Sequence, residues 1–520
     1  MNKNESILYF LDYGKVFGGA VHTLIQQALL MKKAGYKVFL FFSDYLGKGL
    51  QNEYREIVQR LEMTYEWATF QLTSQPEDID LICLDKNYEQ LKNKIASYKP
   101  VILHSVQINP CVELVSRELK IPHIMNIYQF MSEFFTFEYT DIFPKYHICD
   151  SWYWAKKWNE FLNTDYTCIR TVVNQHCNLI YQKLYGKTIQ YLCAGVLYTG
   201  KNQLNVIKAF HQALQEGISG MLNIYGYDDT AYAGQCKDYI LENNLSKWIH
   251  IKGFCSDMEK VYSESDVLIC GSSIESYPNV ISEAMAYGLI VISTSVAGVP
   301  ELVKDGENGY LAENDSPEAI CRKIVEFNRD IGQKRLDKIK KNSFITFKQN
   351  HTPEVVTKNL MTYYRHVIED NQKSSNVMIS DIRRKFASLI HSFYQYSAQF
   401  TDPRKIALKL WYLYHITPTI ETAVQKKAAF YIWGTGEYGT AVKEMVEVFL
   451  PEVEIAGFMD SNRSGTFFEH VIYEPKEILK KKNIVVLVAI VNGQQEILRQ
   501  LKDSYKIYNK DYFILSARVW

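Results

Sequence analysis

Two glutamates, Glu275 and Glu283, stand eight positions apart and could bind different parts of one ligand. Glu275 lies in a polar turn after a short apolar run, and Glu283 lies about one turn inside the helix predicted next. Between them, the amides of Asn279 and Val280 begin this helix, where N–H groups lack helical partners and favour an anion. Either glutamate alone is typical of any helix start. The pair suits a sugar nucleotide, with the amides for the diphosphate, one carboxylate for the ribose hydroxyls and the other for the sugar.

The elements that must hold these residues form a strand–helix–strand unit. Val267–Cys270 is an apolar run typical of a buried strand, and Leu289–Ser293 is a second one. Ser276 is expected to cap the helix between them, and Pro278 suits its first turn because proline has no N–H to leave unpaired. The apolar face of this helix comprises Val280, Ile281, Ala284 and Met285. Two strands joined by a helix belong to a parallel sheet, so the sequence predicts an α/β fold.

This segment resembles the donor half of retaining glycosyltransferases of family 4, which have the GT-B fold. Their E-x7-E motif matches Glu275 to Glu283, their G-V-P-E turn matches Gly298–Glu301, and their D-G-x-N-G-x-L run matches Asp305–Leu311. The resemblance covers roughly the first two thirds of the chain and is strongest from residue 191 to 330. It implies two Rossmann-like domains that face a cleft.

For the donor side, the resemblance implies roles for one cation and one turn. Lys201 matches the lysine that neutralises the leaving diphosphate, so Lys201 and Glu275 are the expected catalytic residues. Val196 stands where family members carry an arginine, and losing one cation removes transition-state stabilisation. Gly253 and Phe254 match the turn near which the family binds the nucleobase.

For the first domain, the resemblance implies further donor contacts. Gly18 and Gly19 follow an apolar strand, and two glycines let the backbone approach a phosphate or simply form a tight turn. In the family, the matching glycines face the cleft. His104 ends a strand and is expected to be structural. Family members often carry more histidines nearby; Tyr128 stands approximately at one such place and is expected to give the missing hydrogen bond to the donor.

The resemblance implies an enzyme that moves a hexose or N-acetylhexosamine from a nucleotide sugar with retention of configuration. The acceptor would be a glycan, a lipid-linked sugar or a protein, and the expected pathway is cell-surface polysaccharide synthesis. The resemblance implies that no enzymic nucleophile is needed. Val196 and the missing histidines favour an alternative, a catalytically silent GT-B homologue that serves as a binding or partner subunit. A weaker alternative, a nucleotide-sugar epimerase, needs acid and base residues that the sequence does not reveal.

Downstream, a third small Rossmann-like domain is predicted. Gly434, Gly436 and Gly439 form a G-x-G-x-x-G run between a strand at Ala429–Trp433 and a helix, and Asp460 follows the next strand. The unit resembles the N-terminal nucleotide-sugar-binding domain of bacterial sugar acyltransferases. It has about half the strands of a full dinucleotide-binding fold. Binding of a nucleotide sugar, or no binding, is therefore expected rather than NAD chemistry.

The expected organisation has five parts. They are an acceptor-side domain (1–185), a donor-side domain (186–350), a helix that returns to the first domain (351–372), a helical linker (373–425) and the third domain (426–520). The linker is basic and aromatic over 381–415, which favours a packed hairpin over an interfacial membrane helix. Further first-domain strands are predicted at Leu81–Leu84, Val101–His104, His123–Ile127 and His147–Cys149, and a helix at Tyr88–Ser97.

Composition excludes several classes of protein. Lys plus Arg equals Asp plus Glu, 58 each in 520 residues, which argues against a nucleic-acid binder. Ten cysteines occur without a C-x-x-C pair, so no zinc or redox site is predicted. Asp78-Ile79-Asp80 is interpreted as a solvated turn, and no metal or cofactor is expected besides the donor. The N-terminus does not resemble a signal peptide and apolar runs are too short to span a bilayer, so a cytoplasmic protein is expected, peripheral at the inner face of the membrane if attached at all.

Overall fold

A computed structural model describes most of the chain. The described residues are 4–11, 19–42, 58–59, 61–67, 81–106, 110–128, 144–162, 165–173, 188–373, 424–425, 427–449, 453–489, 497, 501 and 512–514. Gly18, the Asp78-Ile79-Asp80 turn and the basic aromatic stretch 381–415 lie outside these residues.

The first sheet has seven strands in the order β3-β2-β1-β4-β5-β6-β7. Its strands are β1 (Ser6–Leu11), β2 (Lys37–Phe42), β3 (Thr64–Trp67), β4 (Pro100–Val106), β5 (His123–Asn126), β6 (Tyr146–Cys149) and β7 (Asp165–Cys168). Its helices are α1 (Gly19–Lys33), α2 (Leu81–Ser97), α3 (Pro110–Leu119) and α4 (Trp152–Leu162). The central strand β1 pairs in parallel with β2 and β4, and Ile7 to Leu11 are fully buried. A strand covered on both faces needs such a continuous apolar run.

The predicted strand at Leu81–Leu84 is wrong, because these residues begin the long helix α2. Apolar residues recur at Leu84, Tyr88, Leu91 and Ile95, three or four positions apart, which is the helical period. The short run Leu81–Leu84 is therefore the first turn of a longer helical pattern. Strands β3 and β7 were not predicted, since their sequences TYEW and DYTC alternate polar and apolar residues too briefly to give a signal.

The second sheet has six strands in the order β10-β9-β8-β11-β12-β13. Its strands are β8 (Ile189–Ala194), β9 (Gly220–Tyr225), β10 (Ile249–Gly253), β11 (Val267–Cys270), β12 (Ile290–Thr294) and β13 (Tyr310–Ala312). The helices that follow them are α5 (Gln203–Gln215), α6 (Ala231–Glu242), α7 (Met258–Ser263), α8 (Asn279–Ala286), α9 (Val299–Leu302), α10 (Pro317–Asp330), α11 (Lys334–Asn350) and α12 (Pro353–Lys373). The strand order reverses between β8 and β11, which is where parallel sheets bind ligands at their carboxyl ends.

Both faces of this second sheet carry a hydrophobic core. Val267 and Ile269 of β11 pack into one cluster of buried side chains, and Leu268 and Cys270 pack into the other. Alternate residues of a strand point to opposite faces, so a sheet with helices on both sides needs apolar residues at every position. The α/β prediction with parallel sheets is confirmed here.

The third sheet also has six strands, in the order β16-β17-β15-β14-β18-β19. They are β14 (Ala429–Trp433), β15 (Ile455–Met459), β16 (Gly465–Phe467), β17 (His470–Tyr473), β18 (Ile484–Val488) and β19 (Tyr512–Ile514), with helices α13 (Glu437–Phe449) and α14 (Pro475–Ile478). Strands β16 and β17 pair antiparallel. The sheet has more strands than the sequence predicts, because β16, β17 and β19 are only three or four residues long and lack long apolar runs.

By its contacts the chain divides into two compact units. Unit 1 comprises Met1–Ile148, Lys157–Tyr166 and Tyr363–Trp520, and unit 2 comprises Cys149–Lys156 and Thr167–Thr362. Helix α12 contributes residues to both. Within the described ranges, no helix combines the length and hydropathy needed to cross a bilayer. Over the same ranges, no group of three or more His, Cys, Asp or Glu side chains could hold a metal ion.

Buried histidines predict that acid destabilises unit 1 before unit 2. In unit 1, burial lowers the pKa of His104 and of His147 from 6.5 to about 3. Both bind a proton only after unfolding, so their stabilising effect is complete above pH 6.5 and is lost as the pH falls towards 3. Two such protons change the free energy of unfolding by about 3 kcal/mol per pH unit. In unit 2, burial lowers the pKa of His351 to about 4 but raises that of Asp150 to about 7, and the two effects oppose each other.

Hydrogen exchange at pH 7 and pH 5, corrected for the intrinsic rates, measures this difference. We expect peptides from β1 and β4 to lose several kcal/mol of opening free energy at pH 5, while peptides from β8 and β11 change much less. Equal changes in the two units would contradict the prediction.

Candidate functional site

The polar residues of unit 2 lie where strands of the second sheet end. The turns after β8, β9, β10 and β11 carry, respectively, Lys201, Tyr227, Phe254 and Glu275. Because the strands are parallel, their carboxyl ends share one edge of the sheet. The edge therefore brings together side chains that are far apart in sequence.

Lys201 and Glu275 form an ion pair at this edge. Lys201 Nζ donates to Glu275 Oε1 at 2.5 Å, and the hydroxyl of Ser272 donates to the same oxygen at 2.7 Å. The carboxylate is 8% exposed and the lysine side chain 27% exposed. Burial is the largest single influence on the pKa of Lys201 and lowers it, but the Glu275 carboxylate, together with Cys270 and Tyr198, raises the pKa above its ordinary value. Lys201 is therefore a fixed cation, and Glu275 Oε2 accepts no hydrogen bond from the described residues.

The turn that carries Lys201 is stabilised by hydrogen bonds from the side chain of Gln203. Gln203, the first residue of α5, donates through Nε2 to the carbonyls of Gly195 and Val196 at 3.3 and 3.0 Å. Gly195 has φ +143°, and the Lys201 carbons lie 3.8 Å from where its Cβ would be. Val196, which stands in place of the family's arginine, is 44% exposed. The turn therefore presents one cation and one apolar side chain.

Glu283 lies in the middle of α8 and is partly exposed. The Tyr262 hydroxyl, from α7, donates to its Oε2 at 2.5 Å. Burial raises the pKa of Glu283, and the hydrogen bond from Tyr262 lowers it in part. Both predicted glutamates thus receive a hydroxyl on one oxygen.

The start of α8 provides backbone amides between the two glutamates. The N–H of Ile281 donates to the Pro278 carbonyl at 3.1 Å. The N–H groups of Asn279 and Val280 donate to no acceptor among the described residues. The structure thus places the two amides as predicted, at the positive end of an eight-residue helix.

The prediction that Ser276 caps α8 is wrong. Pro278 occupies the N-cap position with φ −68° and ψ 116°, and no side chain caps the helix. The Ser276 hydroxyl instead donates to Asp150 Oδ1 at 2.5 Å. Asp150 is buried, and an unpaired buried carboxylate costs more free energy than an uncapped helix start that water can reach.

Glu301, the last residue of the G-V-P-E turn, caps a different helix. Its carboxylate accepts hydrogen bonds from the N–H groups of Trp152 and Tyr153, at 2.9 and 2.6 Å, in the first turn of α4. Arg170 Nη2 donates to it at 2.8 Å, and the guanidinium lies 4.3 Å from the centre of the Tyr277 ring. This turn therefore has an internal structural role.

Gly253 and Phe254 form an exposed turn at the end of β10. Gly253 has φ +74°, which glycine adopts without strain. The ring of Phe254 stacks on that of Tyr227, with centroids 4.5 Å apart and planes 14° apart, and both are about half exposed. Stacked exposed rings suit a planar ligand, and the sequence reading did not include Tyr227.

In unit 1, Gly19 and Tyr128 lie near each other, whereas Gly18 lies outside the described residues. Gly19 is the exposed first residue of α1. The Tyr128 hydroxyl donates to the carbonyl of Ala20 at 3.3 Å and accepts from Asn126 Nδ2 at 3.4 Å. Tyr128 therefore lies beside the start of α1, and its contact with the donor stays a prediction.

His104 is buried in a chain of hydrogen bonds behind this position. Its Nε2 bonds to Asn126 Oδ1 at 2.8 Å and its Nδ1 to the Tyr364 hydroxyl at 2.5 Å, while Tyr9 and Tyr364 share a hydrogen bond of 3.0 Å. Burial lowers the pKa of His104 to about 3, so the ring is neutral. Because Asn126 Oδ1 can only accept, Nε2 carries the proton and Nδ1 accepts from Tyr364. His104 has the structural role that was expected.

In the third sheet, the glycine run forms a tight turn. Gly434 has φ +130°, and a Cβ at Gly439 would lie 2.1 Å from the Gly434 carbonyl oxygen, so only glycine fits. Gly436 has open space around it. Asp460 accepts the Thr435 hydroxyl at 2.5 Å and the N–H of Asn462 at 2.8 Å. The carboxylate therefore ties together two turns of its own domain, and nucleotide binding by Gly434, Gly436, Gly439 and Asp460 stays a prediction.

Residues 181–344 match the protein family described as glycosyl transferases group 1. Two curated relatives match stretches of 140 and 150 residues. The amylovoran biosynthesis glycosyltransferase AmsK of Erwinia amylovora is 28% identical over 140 residues, 25% of this chain and 34% of the relative. The capsular polysaccharide biosynthesis glycosyltransferase CapM of Staphylococcus aureus is 27% identical over 150 residues, 29% of this chain and 39% of the relative. The chain thus spans little more than a third of the length of these relatives.

Solved structures match a longer part of the chain. A glycosyltransferase from Rickettsia africae superposes with a TM-score of 0.61 at 18% identity, covering 71% of this chain and all of that one. The Anabaena protein HepE in complex with UDP gives a TM-score of 0.57 at 16% identity, with coverage of 69% and 100%. The pneumococcal O-GlcNAc transferase GtfA in complex with UDP and GlcNAc gives 0.56 at 12% identity, with coverage of 71% and 100%. Residues 181–344 are thus similar to the glycosyl transferases group 1 family, and the chain has the mixed α/β fold with parallel sheets of the GT-B glycosyltransferases.

Proposed function

We propose that this chain is a retaining glycosyltransferase of the family 4 type. It transfers a hexose or N-acetylhexosamine from a nucleoside diphosphate sugar to a glycan, lipid-linked or protein acceptor in cell-surface polysaccharide synthesis. The observation that carries the proposal is the Lys201–Glu275 ion pair beside the uncapped start of α8. The relatives named above, two of which are polysaccharide biosynthesis glycosyltransferases, support this reading.

Each residue has a defined part in the proposed reaction. Lys201 and the amides of Asn279 and Val280 hold the diphosphate, and Glu283 accepts hydrogen bonds from ribose. Glu275 Oε2 accepts from a hydroxyl of the transferred sugar. The bond between the anomeric carbon and the diphosphate oxygen breaks, and its electron pair goes to the diphosphate. The acceptor hydroxyl bonds to the same face of that carbon, and the departing phosphate oxygen takes its proton.

The remaining predicted donor contacts are residues of unit 1 and the exposed turn at the end of β10. By the family resemblance, Gly18, Gly19 and Tyr128 would also be donor contacts, and Gly253 and Phe254 would bind the nucleobase. The reaction needs no metal or cofactor, because Lys201 and the helix amides supply positive charge to the leaving group. Attachment to the inner face of a membrane stays a prediction.

A second candidate function is nucleotide binding without transfer. Val196 is exposed where the family has an arginine, and Lys201 is already paired with Glu275, so the leaving group meets less net positive charge. A silent homologue would still bind a nucleoside diphosphate through α8 but would not break the glycosidic bond.

Calorimetry with a panel of nucleoside diphosphates, followed by a screen of nucleotide sugars for slow hydrolysis, tests both functions. We expect one nucleoside diphosphate to bind and its sugar form to be hydrolysed. Glu283→Ala should weaken binding at least tenfold, because two ribose hydroxyls lose a charged acceptor worth about 1.5–3 kcal/mol. The matched control is Glu259→Ala, an exposed glutamate on α7.

Binding without hydrolysis or transfer would favour the silent homologue. Absence of any nucleotide binding, or equal binding by Glu283→Ala and the control, would contradict the proposed function.

A further inference from the structure

Helix α7 supplies a buried tyrosine, Tyr262, that contacts the carboxylate of Glu283. Tyr262 is 2% exposed, and its hydroxyl donates to Glu283 Oε2 at 2.5 Å. Its ring stacks on that of Tyr287, with centroids 5.4 Å apart and planes 20° apart. Tyr287 immediately follows α8, so the stack joins α7 to the end of the helix that carries Glu283.

This hydrogen bond determines which carboxylate oxygen of Glu283 can bind a ligand. Oε2 is engaged by Tyr262, whereas Oε1 accepts no hydrogen bond from the described residues. A carboxylate with one oxygen held loses rotational freedom before the ligand arrives, so less conformational entropy is lost on binding. Ser272 holds Glu275 Oε1 in the same way, and so each glutamate presents one oxygen.

We propose that Tyr262 is a positioning residue that fixes Glu283 so that Oε1 faces the nucleotide's ribose. The inference rests on the proposed function, since it assumes that Glu283 binds a nucleoside diphosphate. Tyr262 acts through Glu283 and does not itself touch the nucleotide.

The ionisation of Glu283 offers a readout that a merely structural role would not affect. Burial raises the pKa of Glu283, and the bond from Tyr262 counteracts part of this effect. Tyr262 is the titratable group that faces Glu283, and Tyr287 and Cys270 face Tyr262 in turn; burial raises the pKa of Tyr262 and of Cys270, so neither carries charge near neutral pH. Removing the hydroxyl should therefore raise the pKa of Glu283 further, and the carboxylate form accepts stronger hydrogen bonds from ribose than the protonated form does.

The experiment is calorimetric titration of the full chain with UDP between pH 8 and pH 5.5, comparing the wild type with Tyr262→Phe. We expect the affinity of the variant to fall at a higher pH than that of the wild type. The loss relative to the wild type should be less than about threefold at pH 8 and should grow as the pH falls to 5.5. Tyr239→Phe is the control, because it removes a hydroxyl that bonds to His211 in the same unit. Its pH profile should match the wild type.

A double-mutant cycle separates positioning from packing. In a Glu283→Gln background the side chain cannot ionise, so adding Tyr262→Phe should change neither the affinity by more than about twofold nor its pH dependence. Should Tyr262→Phe fail to fold, 3-fluorotyrosine at position 262 keeps the ring and makes the hydroxyl a stronger donor, and the profile should shift to lower pH.

Two results would overturn the inference in distinguishable ways. If the wild type binds UDP but Tyr262→Phe or the fluorinated protein shows an unshifted profile, Tyr262 does not position Glu283, while the proposed function stands. If the wild type binds neither UDP nor any other nucleoside diphosphate, the proposed function fails and the inference fails with it.

Discussion

Lys201→Met should lower transfer or donor hydrolysis by about 10²–10³-fold, the loss measured when one preorganised group is removed from a developing negative charge. In the proposed reaction Lys201 is the cation that this turn offers to the leaving diphosphate, because the exposed Val196 adds no charge there. The turnover number should fall more than the affinity for UDP, since charge on the leaving group increases in the transition state. Steady-state kinetics with the donor identified by the hydrolysis screen measures this effect.

The same substitution should also destabilise unit 2. Removing one partner of a fully buried ion pair costs about 3–5 kcal/mol. With 27% of the Lys201 side chain exposed, we expect about 2 kcal/mol instead. The double variant Lys201→Met with Glu275→Gln leaves no unpaired charge, so it should recover stability without recovering activity. Lys260→Met, which disrupts an exposed pair with Glu264, should affect neither.

Activity restored in the double variant would mean that Lys201 only neutralises Glu275. That outcome would contradict its proposed role at the diphosphate.

Gly226→Ala should be the most damaging small substitution in unit 2. A Cβ at this position would lie 1.9 Å from the carbonyl oxygen of Gly195. The backbone fixes the position of both the Cβ and the oxygen, so no side-chain rotation can relieve the clash. Overpacking costs about 1–3 kcal/mol, and the φ of +155° adds strain of similar size. We expect unfolding in urea to show a loss of about 3–5 kcal/mol, together with weakened nucleotide binding, because the Gly195–Val196 turn must move.

Two other glycines of the same unit give matched controls. Gly217 has φ +86° but open space around it, so Gly217→Ala should cost only the backbone strain of about 1–2 kcal/mol. Gly234 lies within α6 with no atom near its would-be Cβ, so Gly234→Ala should stabilise by about 1 kcal/mol. If all three substitutions had equal effects, the steric explanation for Gly226 would be wrong.

The predictable parts of this fold are those with long local signals. The strands β11 and β14 have the bounds that the sequence predicts, because each is an unbroken apolar run in the middle of a covered sheet. The run Leu81–Leu84 gave the same signal for a different reason, since a helix buried on one face begins with the same residue types. Edge strands such as β7 gave no signal because they bury little.

The site was predictable where one short segment contains it. Glu275, Glu283 and the amides between them share a single turn and helix, so spacing alone places them together. The hydroxyls of Tyr262 and Ser272, and the carboxylate of Glu301, have partners that are determined by packing between separate elements. Ser276 shows the same limit, because the local rule for helix caps does not consider Asp150. This buried residue stands 126 positions earlier in the chain and accepts the Ser276 hydroxyl.

Unit 2 contains two helix starts of opposite character, and their difference has a consequence for selectivity. At α4 the chain provides its own counter-ion, Glu301, so that positive pole is already occupied by a carboxylate. At α8 no such internal ion is present among the described side chains, and the pole remains available for a phosphate. The two poles thus differ in whether a side chain of the same chain already binds their amides through hydrogen bonds. In a variant that carried this carboxylate at the start of α8 instead of α4, the side chain would occupy the α8 amides, and a phosphate could no longer bind there.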